Sequence, residues 1–130
     1  MADVNRGKRP LSPHMQVYRM PMTAMLSISH RITGAAMVPG GVLIVWWFAA
    51  AVISPQAFAR ADWFLTSWFG TLIMLGSLAA LAYHFCNGIR HLVWDSGRSF
   101  DLEVAKQSNF IVLGATVVLT LLALGAIAMG

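Results

Sequence analysis

Three long apolar runs, at residues 32–53, 63–94 and 110–129, limit the fold more than anything else in this chain. At about 1.5 Å of rise per residue, each is long enough to cross a hydrocarbon layer of about 30 Å. Backbone in lipid has no water to bond to, so a run of this kind is a helix. Hydrophobic residues make up 58% of the 130 and charged residues only 11%, where a soluble domain has roughly 25% charged. The expected fold is therefore all-α and integral to the membrane, with three transmembrane helices. They are placed at about residues 29–53, 63–93 and 109–129, in an anchor domain of residues 22–130 behind an N-terminal arm at 1–21.

The arm is polar, and Pro10 and Pro13 keep it extended. Pro21 suits the first turn of a helix. Pro39, Gly40 and Gly41 predict either a kink or a close helix contact in the first span. Trp46, Trp47 and Phe48 mark the far interface or face lipid. Residues 54–62 read as a short polar link and residues 96–109 as a polar connection. The second run would make about 45 Å of helix, so it must tilt or protrude. Arg6, Lys8, Arg9 and Arg19 precede the first span, Arg98 and Lys106 lie in the second connection, and the first connection has Arg60 alone. Positive charge stays on the cytoplasmic side, which places the N-terminus in the cytoplasm and the C-terminus in the periplasm. The start of the chain does not read as a signal peptide. A bacterial inner membrane is the expected location, with the mitochondrial inner membrane as the alternative. No basic cluster interleaved with aromatics suggests nucleic acid, and the single Cys86 forms no internal disulfide.

The polar residues inside the runs gather at one end. His84, Asn87, Gly88, His91 and Asp95 recur at spacings of three and four, so they share a helix face. Gly76, Ala80, His84 and Gly88 make a row of small residues around one imidazole, a groove against which a flat ligand could lie. An ionisable group within a membrane helix points to function, and a neutral, buried imidazole can bind haem iron. The plainer reading is a histidine bonded to a neighbouring helix. A six-coordinate haem needs a second ligand. His91 is about 10 Å along the same helix, and His30 is expected nearer the surface, so a partner chain is the economical source. Ser27 and Arg31 are four apart on the first helix and could donate to a carbonyl oxygen of a quinone, whose reduction builds negative charge there. Arg31 could equally be an interfacial charge held in the headgroups. His30, Arg31 and His91 are candidates to pair with haem propionates. Asp95, at the water boundary, could relay protons or simply end a helix in solvent. Arg90 could pair with Asp95, or with Tyr83 meet a protein partner.

Taken together, RPLSPHMQVYR (residues 9–19), SISHRITG (27–34) and HFCNGIRHLVWDSG (84–97) resemble the cytochrome b membrane-anchor subunits of succinate dehydrogenase, in the same order and over nearly the whole chain. The resemblance implies that His84 is an axial ligand of a haem b shared with a second membrane-anchor subunit. It implies that Ser27 and Arg31 bind ubiquinone next to an iron–sulfur subunit, and that Asp95 is tied to proton supply. Succinate would be oxidised in a flavoprotein subunit, since this chain has no flavin fingerprint and no cysteine cluster. A cofactor-free structural anchor is the alternative. A small transporter subunit is a further one, disfavoured because the outer half of the helices is nearly bare of polar groups.

Overall fold

The computed structural model describes residues 18–99 and 101–129; most of the arm assigned to residues 1–21 lies outside them. The described residues fold into four helices and no strands: α1 (Met22–Ile53), α2 (Pro55–Thr66), α3 (Trp68–Asp95) and α4 (Leu102–Met129). Three of these, α1, α3 and α4, are long and apolar enough to cross a membrane. α3 packs between α1 and α4 and runs antiparallel to both: Leu26, His30 and Gly40 of α1 meet Asn87, His84 and Ser77 of α3, and Asn109 and Val112 of α4 lie beside Arg90 and Cys86.

Several helix boundaries differ from the expected ones. Residues 54–62 are not a link: Pro55 opens α2, and the Ser54 hydroxyl accepts the Ala57 N–H at 3.1 Å. A serine N-cap followed by proline at the first helical position is a strong start signal. Nor does the second long helix begin at Trp63. Ser67, extended at ψ 159°, ends α2 and caps α3 by accepting the Gly70 N–H at 3.1 Å. Gly70 is buried in this corner, and a Cβ there would collide with the carbonyl of Phe64 and the backbone of Leu65. α2 folds back on the end of α1, where Trp47 Nε1 donates to Asp62 at 3.3 Å and Trp46 meets Phe64 edge to face.

At the other end, Gly97 adopts φ +78° and turns the chain out of α3. α4 starts at Leu102, so most of the expected polar connection is helical too. α1 runs unbroken through Pro39. The close contact expected for that segment is seen: Gly40 is buried against Ser77 of α3, whose Oγ would lie 2.7 Å from an added Cβ.

The core is small. Leu26, Tyr83, Cys86 and Val112 form it, joining α1, α3 and α4 near the polar end of the bundle. Elsewhere the helices turn large apolar side chains outward, among them Val45, Leu72, Phe110 and Leu122.

Candidate functional site

The polar half of α1 and the polar half of α3 meet face to face. Three histidines converge there: the rings of His30 and His84 stack at 3.8 Å with 10° between their planes, and His91 lies 5.1 Å from His30. His30 is therefore not nearer the surface than His84, as the sequence suggested; antiparallel packing brings both to one level. It also fills part of the groove beside Gly88, since its Cε1 would touch a Cβ added there at 3.8 Å. Two imidazoles stacked in parallel present faces to each other, not nitrogens, so they cannot bind opposite sides of one metal ion.

The His84 ring is fixed from the α1 side. Gly34 makes room for it: a Cβ at that position would stand 3.0 Å from His84 Cε1. The carbonyl oxygen of His30 lies 3.1 Å from His84 Nδ1. A carbonyl can only accept, so Nδ1 carries a proton, and in the neutral ring that leaves the lone pair on Nε2. Metal-binding histidines are commonly oriented in this way, by a backbone carbonyl on the other ring nitrogen. Thr33 Oγ1 donates to the carbonyls of Ser29 (2.8 Å) and His30 (3.0 Å) and stands 3.5 Å from the same Nδ1. His30 Nδ1 is buried and has no partner among the described residues.

Beneath the histidines a second polar layer ties the three long helices together. Tyr83 donates its hydroxyl to the Leu26 carbonyl at 2.7 Å, and Asn87, fully buried, reaches the same oxygen at 3.5 Å. Arg90 Nη1 donates to Asn109 Oδ1 at 2.6 Å, and Asn109 Nδ2 donates to Thr23 Oγ1 at 3.3 Å. The guanidinium also lies over the Trp94 ring, 4.5 Å from its centre. Tyr83 and Arg90 are thus buried within the chain, and Arg90 pairs with Asn109 where Asp95 had been a candidate. Asn109 and Thr23 were missed by sequence reasoning. The available signal was a lone amide at the start of an otherwise apolar run.

The remaining candidates stand around this centre. Ser27 is half-buried on α1, one turn before His30 and Arg31, while Arg31 and Asp95 are exposed. Among the described residues the side chains of Ser27, Arg31 and Asp95 make no hydrogen bond to one another or to the histidines.

Comparison with known proteins agrees with this picture. The family model of the succinate dehydrogenase/fumarate reductase transmembrane subunit matches residues 5–123. A succinate dehydrogenase cytochrome b556 subunit of Paracoccus denitrificans is 55% identical over 95% of both chains. The cytochrome b556 subunit of Rickettsia bellii is 34% identical over 89% of this chain and 90% of its own. The cytochrome b560 subunit of Marchantia polymorpha is 36% identical over 88% of this chain and 87% of its own.

Proposed function

Because this chain belongs to the succinate dehydrogenase/fumarate reductase transmembrane-subunit family, we propose that it anchors a succinate:ubiquinone oxidoreductase in the membrane, holds haem b and helps form the ubiquinone site. The observation that carries this is the state of His84. Its Nδ1 is occupied by the His30 carbonyl at 3.1 Å, which leaves Nε2 as a lone-pair nitrogen on a ring braced against Gly34. That is the donor a haem iron requires. When bound, the haem supplies a one-electron carrier next to the quinone site. The stacking of His30 on His84 speaks against His30 as a further ligand and supports a second membrane-anchor subunit as its source. His30, Arg31 and His91 are assigned to the propionates, a reading that the unpartnered Nδ1 of His30 supports.

Ser27 and Arg31 carry the quinone role. Both donate, both lie on the flank of α1 next to His30, and Arg31 is exposed. A hydroxyl and a guanidinium held at fixed positions stabilise the negative charge that builds on a quinone oxygen during reduction. Ubiquinone takes up two electrons and two protons to become the quinol. Asp95, exposed at the end of α3, can pass protons from water toward this flank. Succinate oxidation and the iron–sulfur relay belong to the flavoprotein and iron–sulfur subunits of the assembly. The excess of Lys and Arg at the arm and at the α3–α4 connection supports a cytoplasmic N-terminus and a periplasmic C-terminus in a bacterial inner membrane.

A reduced-minus-oxidised absorption spectrum of the purified complex tests the haem assignment. A b-type band is expected in the parent and absent in His84→Ala. A band that survives His84→Ala takes the ligand role from His84, and a parent complex without the band leaves the chain as a cofactor-free anchor.

A further inference from the structure

Between α3 and α4 lies a cation without a counter-charge. Arg90 is 5% exposed, yet only Nη1 is hydrogen-bonded, and to a neutral amide; Nε and Nη2 are buried and have no partner among the described residues. Charged groups within membrane helices are normally paired, because leaving one bare in hydrocarbon is costly. No acid of this chain meets the need among the described residues. Glu103 is engaged with Lys106 at 3.0 Å on the exposed side of α4, and Asp95 and Asp101 are exposed.

A cavity of about 260 Å³ opens at the same place, lined by Arg90 itself. Ile89, Val93 and Ile111 give it an apolar wall, and Gln107 and Ser108 add polar groups. Ile89 and Ile111 are 48% and 68% exposed, so the wall continues onto the outer surface of the bundle. Arg90 is only about 7 Å along the axis from the end of α3, the depth at which lipid headgroups meet acyl chains.

We propose that this α3–α4 cleft binds an anionic membrane phospholipid, its phosphate received by the Arg90 guanidinium and an acyl chain laid along Ile89, Val93 and Ile111. A guanidinium matches phosphate oxygens in geometry and charge. The apolar wall leading outward from it favours an amphiphile over a free anion. The site is separate from the histidine cluster: it lies on the α4 side of α3, whereas His84 faces α1.

The test uses the whole complex purified in mild detergent, with retained lipid identified by headgroup and counted by mass spectrometry. The parent is expected to retain anionic phospholipid, and Arg90→Gln and Ile111→Trp to retain roughly tenfold less, the loss expected for one charge-assisted hydrogen bond or for a blocked cleft. Ile111→Trp fills the cleft without touching the guanidinium, so it decides the matter alone where Arg90→Gln fails to assemble. Added back to lipid-stripped complex, anionic phospholipid should raise the melting temperature, and zwitterionic phospholipid or inorganic phosphate should not. Equal retention in Ile111→Trp and parent overturns the proposal, as does equal stabilisation by inorganic phosphate. So does a neighbouring polypeptide that cross-links at Ile111→Cys in place of lipid.

Discussion

His84 is held by contacts that can each be removed singly. Gly34→Ala would set a methyl group 3.0 Å from His84 Cε1, closer than van der Waals contact, so the ring must tilt by a few tenths of an ångström. The expected outcome is a shifted b-type band with haem still bound, read in the same difference spectrum that His84→Ala abolishes. Arg31 is exposed and makes no hydrogen bond among the described residues, so Arg31→Ala should leave assembly and haem binding intact, with a small shift of the band for the lost propionate contact. Quinone reduction should fall by roughly tenfold or more, the value of a lost charge-assisted bond to a developing oxyanion. Unchanged quinone reduction and inhibitor binding in this variant would remove Arg31 from the site. Asn109→Leu deletes the one acceptor of the buried guanidinium and should cost about 1.5–3 kcal/mol, visible as a lower melting temperature of the complex.

At the scale of helices, small residues decide where backbones approach. Gly40→Val should push α1 from α3, because even a Cβ there lies 2.7 Å from Ser77 Oγ and 3.2 Å from its Cβ. Overpacking of this kind costs about 1–3 kcal/mol, and Ser77→Gly in the same chain should recover part of the loss in a thermal melt. The three long helices were legible in the sequence because their apolar runs exceed anything a soluble core uses. The polar end was legible too, since His84 and His91 share a face with Gly88. What sequence could not show was distance between helices. Spacing along α1 gives no means of knowing that His30 stacks on His84, because that depends on Gly34 and Gly88 letting the two backbones close. α2 was missed for a different reason: 12 residues containing Arg60 and Asp62 look like a link, and only the serines at either end mark a helix start and stop.

For the molecule as a whole, the outward apolar surface matters most. In the most apolar stretch of each long helix only 11%, 22% and 6% of residues are buried for α1, α3 and α4, so lipid and other subunits must cover the rest. The chain expressed without its partners should remain in the membrane fraction and aggregate when detergent is withdrawn. Reporter fusions check the proposed orientation. An alkaline phosphatase fused after Met129 should be active, and one fused after Arg98 inactive; the reverse pattern would invert the assignment.

Lipid tails solvate leucine as well as another helix does, so apolar contact alone does little to stop one membrane helix from sliding along its neighbour. In this bundle a single amide, Asn109, bonds upward to Thr23 and across to Arg90. Displacing α4 by one turn, about 5.4 Å, would strand a full positive charge in oil. The amide therefore works as a latch on vertical alignment: it sets the height at which the third helix comes to rest during insertion, and with it the level of every residue that α4 offers to a neighbour.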